Sequence, residues 1–239
     1  MKVTLISHTP EARELLIFTK STRLTMSPGF MDEIRGWSDE RKAAELEYMA
    51  NTIPSSWEFV DYVFMIEGVS RAFTHQFVRS RNASYAQQTM RVLNMGEYDY
   101  VFTERLAAHP EGRAAVERIN GQIRDTYNAL IAAGLPAEDA RGILPTNIAT
   151  NIVAKFNLRA FVDLAKARSG GRTQGEYQSV VRAMVDAVLA VHPWAERFLF
   201  GERDRDYFAE IEAFAEREYG GDLLRKGALL KIVDKMRKS

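Results

Sequence analysis

Between residues 79 and 91 the chain reads Arg79-Ser80-Arg81-Asn82-Ala83-Ser84-Tyr85-Ala86-Gln87-Gln88-Thr89-Met90-Arg91. Three guanidinium groups, two adjacent amides and several hydroxyls fall in this one stretch. Asp and Glu are absent from Gly68 to Gly96, and Arg71 lies inside the same acid-free run. Guanidinium groups are planar donor forks that match phosphate and carboxylate. In a chain with 32 basic and 32 acidic residues, this local excess points to a site for an anionic small molecule, a nucleotide first among them.

A second group follows later. Asn157, Arg159, Lys166, Arg168 and Arg172 are interrupted by one acid, Asp163. Arg168 comes nine residues after Arg159, roughly two and a half helical turns, so the two face different contacts. Either cluster alone reads as solvated helix charge. Two clusters, each beside Asn or Gln, read as parts of one site assembled from distant segments. Gln174-Gly175-Glu176 opens a further helix, where Glu176 complements the dipole. His8, His75, His109 and His192 lack metal-ligand spacing, so no metal site is expected, and His75 reads as structural. Asp204 and Asp206 read as surface charge.

Several classes are excluded or disfavoured. Zero net charge argues against a general nucleic-acid binder. With no cysteine, disulfides, thiolate metal sites and a cysteine nucleophile are ruled out, which fits a cytoplasmic protein. The opening residues lack a signal-peptide run, and no segment approaches a membrane span. Dinucleotide-binding, P-loop and nucleophile-elbow motifs are missing.

The elements that must carry these residues follow from period and punctuation. Strands are expected at residues 3–7, 57–67, 97–102 and 148–156, the second covered on both faces. Helices are expected at 10–21, 39–49, from Val69 through Phe77, at 110–133, 158–168 and 173–192. The 110–133 helix carries Val116, Ile119, Ile123 and Leu130 on one stripe, and the 173–192 helix turns Val180, Val181, Met184, Val185 and Val188 inward. Residues 22–36 read as irregular around Pro28-Gly29, and 139–145 as a turn. A helical tail occupies 202–239 with a break at Gly220-Gly221. With 239 residues, 46% of them hydrophobic, a single α+β domain over residues 1–239 is the simplest architecture.

The spacing of Arg79, Arg81, Thr89 and Arg91 resembles the signature of flavin-dependent thymidylate synthases. So do Ile66-Glu67-Gly68-Val69-Ser70-Arg71-Ala72, His75-Gln76, Ala83-Ser84-Tyr85, Ala140-Arg141, Leu144-Pro145, Asn157, Arg159, Arg168, Glu176 and His192-Pro193-Trp194. The resemblance runs over roughly residues 1–200. It implies a mostly antiparallel sheet flanked by helices, and a homotetramer with active sites between subunits. It further implies transfer of a carbon unit from methylenetetrahydrofolate to C5 of dUMP, with hydride from reduced FAD recharged by NADPH.

Position by position, the resemblance makes Gln76, Gln87, Thr89, Arg91 and Arg141 contacts of the dUMP phosphate and sugar. Arg168 falls at the pyrimidine, where it stabilises developing negative charge. Arg79, Ser80, Arg81, Asn157, Arg159 and Asp163 fall on the flavin side. There the chain departs from the family: Ser80, Ile53 and Phe59 stand where histidines are usual, Asp163 where Asn is frequent, and Val92 where Tyr follows Arg91. A hydroxymethylated product, a cytosine nucleotide, or a catalytically silent nucleotide-binding homologue are the alternatives these departures leave open.

Overall fold

The structure, a computed structural model, describes residues 1–22, 27–168, 175–200 and 207–237. Arg172, Gln174, Asp204, Asp206 and the expected start of the 173–192 helix lie outside these residues. Four strands form an antiparallel sheet: β1 (Lys2–His8), β2 (Asp61–Ser70), β3 (Ala83–Gln87) and β4 (Ala149–Asn157), in the order β1-β2-β4-β3. Alternation decides which side each residue takes. Tyr62, Phe64 and Ile66 of β2 and Ile152, Ala154 and Phe156 of β4 are buried, while Val63, Met65 and Val153 are only half-buried. β2 is therefore covered fully on one face, not two. It also begins later than its aromatic composition predicts, because Pro54 opens a 3-10 helix, Pro54–Phe59, that inserts Trp57 into the core.

The β2–β4 register shifts between Ile66 and Val69. Gly68 absorbs the irregularity at φ 65°, a backbone region that favours glycine, and its N–H donates to Asn151 Oδ1 at 3.0 Å. Ser70 then starts a helix within one residue of the strand's end.

The helices of the main unit are α1 (Ala12–Ser21), α2 (Phe30–Arg35), α3 (Asp39–Thr52), α4 (Arg71–Phe77), α5 (Glu104–Ala107), α6 (Pro110–Ala132), α7 (Ala137–Ala140), α8 (Leu158–Arg168), α9 (Gly175–Val191) and α10 (Glu196–Phe200). Helix α2 lies where irregular chain is expected; the positive φ of Gly29 turns the backbone into it. Residues 97–102 make one isolated bridge, Tyr100 to Ile148, not a strand, because Thr103 caps α5 immediately afterwards. Residues 139–145 hold the end of α7 and a 3-10 turn, Arg141–Ile143.

Helices α8 and α9 build most of the core against the sheet. All five residues expected inward on α9 are buried, and Phe161 of α8 packs on Tyr62, Phe64 and Phe156. Each such side chain contributes about 1.5–3 kcal/mol when fully buried. Helix α6 differs. It packs on α5 and α7, its buried residues are Asn120 and Tyr127, and Ile119 of its apolar stripe is 50% exposed.

Residues 1–201 form one compact unit and 202–239 another. The second unit contains α11 (Tyr207–Tyr219) and α12 (Leu223–Arg237), which pack on each other with the break at 220–221 between them; Ala215 and Val233 are buried. No helix among the described residues is long and apolar enough to cross a membrane.

Candidate active site

The acid-free run is anchored at its first hydroxyl. Ser70 Oγ accepts from the Phe73 N–H at 3.0 Å, capping α4, and donates to Glu176 Oε2 at 2.6 Å. The Ser70 N–H donates to Glu176 Oε1 at 2.7 Å. Glu176 thus does more than complement the dipole of α9: it ties the first turn of α9 to the start of α4.

This anchor sets the position of Arg71. One terminal nitrogen, Nη2, donates to the Gln88 carbonyl at 2.8 Å, while Nε is buried with no partner among the described residues. Burial, and then the positive charge of Arg141, hold the Arg71 guanidinium below its ordinary pKa. Arg141 Nε donates to the Glu138 carbonyl at 3.2 Å, and Arg91 Nε donates to the Glu138 carboxylate at 2.9 Å. The Arg91 N–H is accepted by Thr89 Oγ1 at 3.0 Å. Arg71 and Arg141 therefore sit close enough to repel, and Arg91 shares Glu138 with Arg141. The Arg91–Glu138 pair is exposed, and such pairs contribute only about 0–1 kcal/mol, so an incoming phosphate can compete for it. Gln87, half-buried, donates from Nε2 to Thr74 Oγ1 at 2.8 Å. Gln76 is exposed on α4.

The second group gathers around two adjoining clefts. One is lined by Ser80, Arg81, Asn82, Phe156, Ala160, Asp163, Leu164, Ala167 and Arg168. The other, of about 490 Å³, is lined by Glu58, Asn82, Asn157, Arg159, Ala160 and Asp163. That volume lies within the range of small-molecule sites, about 300–1,000 Å³. Asn82, Ala160 and Asp163 belong to both, so the clefts are continuous. Asn157 Oδ1 accepts from the Ala160 N–H at 2.8 Å and so caps α8. Arg159 pairs with Glu58 at 2.7 Å. Arg168 lies over the ring of buried Tyr177, 4.7 Å from its centroid, with Nε buried and without a partner among the described residues. Tyr177 packs in turn on Phe73 and Phe77.

The expected site residues thus fall into two sets. Ser80, Arg81, Asn157, Arg159, Asp163 and Arg168 line the clefts. Gln87, Thr89, Arg91 and Arg141 surround the Arg71–Glu138 group and line neither cleft. Arg79, exposed, is also in neither lining. Arg71, Glu138 and Tyr177 are additions of the three-dimensional structure. Only Arg71 had a signal, its place in the acid-free run. At the positions without histidine, the Ser80 carbonyl accepts from Tyr85 Oη at 2.9 Å, Phe59 is 58% exposed, and Ile53 follows the end of α3.

A cleft lined by guanidinium and amide groups, and a separate group in which Arg71 and Arg141 have no acid partner among the described residues, are both suited to anionic ligands. The fold matches solved structures of flavin-dependent thymidylate synthase from Helicobacter pylori, described as complexed with FAD and dUMP. For one of them the TM-score is 0.66 at 18% identity, over 84% of this chain and 99% of that one. Among sequences, flavin-dependent thymidylate synthase of Geobacter sulfurreducens is 32% identical over 200 residues, 81% of this chain and 84% of the relative. That of Nitratidesulfovibrio vulgaris is 33% identical over 207 residues, 80% and 84% respectively. Residues 4–194 match the family model described as "Thymidylate synthase complementing protein". The chain belongs to this family, the flavin-dependent thymidylate synthases.

Proposed function

We propose that the chain converts dUMP to dTMP, with methylenetetrahydrofolate as carbon donor and FAD and NADPH as redox cofactors. Family membership supports the reaction. The observation from the chain itself that carries the reading is twofold: a group of Arg71, Arg91 and Arg141 in which Glu138 is the acid that pairs, with Arg91, and a separate cleft rich in guanidinium donors. The first is suited to the nucleotide phosphate. The second fits FAD: Arg81 and Arg159 supply donors for its diphosphate, and Asn82, Asn157 and Asp163 supply polar partners along the cleft.

When bound in the cleft lined by Arg81, Asn157, Arg159 and Asp163, FAD in its reduced form would supply the hydride that completes the methyl group. The chain binds and orients. Arg71, Arg91 and Arg141 hold the phosphate, Thr89 and Gln76 flank it, and Gln87 meets the sugar. Arg168, braced on Tyr177, would lie at the pyrimidine and stabilise the negative charge on the ring that makes C5 nucleophilic. No enzyme nucleophile is required, in keeping with a chain without cysteine.

The site is shared between subunits of a homotetramer in this reading. Three features support that: the nucleotide-side and cleft residues fall in separate groups within one chain, Gln76, Arg79 and Arg91 are exposed, and the apolar stripe of α6 is only partly covered. The family match ends at residue 194, before the helical tail of residues 202–239. A cytoplasmic setting is the one in which this substrate and NADPH are available. Incubating purified protein with dUMP, methylenetetrahydrofolate and NADPH tests the reaction: dTMP is expected by mass spectrometry. FAD-loaded protein that yields no dTMP refutes the reading, and a 5-hydroxymethyl product would reassign the chemistry.

A further inference from the structure

Thr74 lies in α4 with no exposed surface. Its hydroxyl has a single proton to give. Thr74 Oγ1 donates that proton to the Arg71 carbonyl at 3.0 Å. Toward any other neighbour it can only accept. Gln87 Nε2 lies 2.8 Å from the same oxygen. A side-chain amide has one donor end and one acceptor end, so turning it over would set two acceptors face to face. The network therefore fixes the amide. Gln87 Oε1 points away from Thr74, and among the described residues it has no partner.

This orientation decides which part of a nucleotide Gln87 can meet. A phosphate carrying two negative charges offers no hydrogen and would repel Oε1. The adjoining arginines suit it instead, and Arg71 is the residue whose carbonyl anchors Thr74. The next group along a deoxynucleotide that carries a donor is the sugar, through its 3′-hydroxyl. We propose that Thr74 is a positioning residue for substrate recognition: by holding the amide of Gln87, it presents Oε1 as the acceptor for the 3′-hydroxyl. The inference rests on the nucleotide reading above and sharpens the shared phosphate-and-sugar role expected for Gln87.

The test compares dUMP with 2′,3′-dideoxyuridine monophosphate, which lacks that hydroxyl, by calorimetric titration of the full chain loaded with FAD. Wild type should bind dUMP about 3- to 10-fold more tightly than the dideoxy analogue, the range of one net hydrogen bond. Thr74→Val keeps the shape but removes the hydroxyl, and should erase the preference by weakening dUMP alone. Thr74→Ser should restore it, which guards against a folding defect in the valine variant. Equal weakening of both ligands by Thr74→Val means a merely structural role and overturns the proposal. So does an unchanged preference in Thr74→Val while Gln87→Ala loses it, an outcome that leaves the nucleotide reading standing. A wild type that binds neither ligand removes that reading, and this proposal with it.

Discussion

Arg71 offers a prediction in which stability and binding move in opposite directions. The guanidinium is partly buried, its Nε lacks a partner among the described residues, and Arg141 repels it. Arg71→Met keeps most of the stem and removes the charge. Relief of an unsatisfied buried donor is worth about 1–3 kcal/mol. The hydrogen bond to the Gln88 carbonyl is lost, but Gln88 is exposed and water replaces it at a cost of about 1 kcal/mol. The ligand-free variant should therefore be more stable by about 1 kcal/mol, a rise in Tm of about 2–4 °C for a chain of this size. Phosphate binding loses a charge-assisted hydrogen bond of about 1.5–3 kcal/mol, so dUMP should bind about 10- to 150-fold more weakly. Thermal melts with and without dUMP read both effects, because ligand binding to the folded state adds RT ln(1 + [L]/Kd). A variant that melts lower than wild type without ligand, or that binds dUMP equally well, refutes the view that Arg71 is held strained for an anion.

Other perturbations separate positioning from binding. Asn157→Ala removes the α8 cap and should lower stability by about 1 kcal/mol, read by urea midpoint. Asn157→Asp retains the capping oxygen but brings negative charge to the cleft, so its midpoint should hold while FAD affinity falls. Burial, then the neighbouring His8, pushes the His192 pKa down to about 4. The folded state therefore binds fewer protons than the unfolded state below about pH 6.5, and stability present above that pH should be lost as pH falls toward 4. His192→Gln should flatten that slope in pH-dependent melts, at the cost of the contact between Tyr62 Oη and His192 Nδ1 at 3.0 Å. Histidine is the side chain whose unperturbed charge changes between pH 5 and 8, and none lines either cleft. Ser80→His should introduce a pH dependence into FAD affinity across that range; identical profiles for both proteins would place residue 80 away from the cofactor.

How much of this was legible beforehand depended on the range of the interactions. Helix α9 announces itself because its inward residues recur at helical spacing, and the structure buries those same residues. Strand β3 does not. It has five residues, largely small or polar, and exists through pairing with β4. The α6 stripe reads as an apolar face, yet within this chain α6 buries Asn120 and Tyr127 instead; no local pattern says whether the chain itself will cover the stripe. At the site, guanidinium types and spacing reveal the acid-free run, but Arg71 stands out only once Arg141 is brought beside it. Glu176 shows the limit most plainly: its partner, Ser70, is 106 residues away, so the sequence supports only the nearest explanation, the dipole of its own helix.

The side chains that shape the site share a physical device. Ser70 caps α4 through one lone pair and gives its proton to Glu176. Thr74 gives its proton to the Arg71 carbonyl and takes one from Gln87. Asn157 gives its oxygen to the α8 cap and retains its amino group beside the cleft. In each case a hydrogen bond to the backbone, a helix cap at Ser70 and Asn157 and an Arg71 carbonyl within α4 at Thr74, consumes one hydrogen-bonding direction and fixes the orientation of the other. Such groups need no reorganisation when ligand arrives, which is where preorganised sites gain over water. The arginines are the counterpart. Arg71 has no acid partner among the described residues and is repelled by Arg141, a cost that an anion would relieve. The ligand thus completes what folding leaves unpaired, and the same substitutions that quiet the empty site should weaken the occupied one.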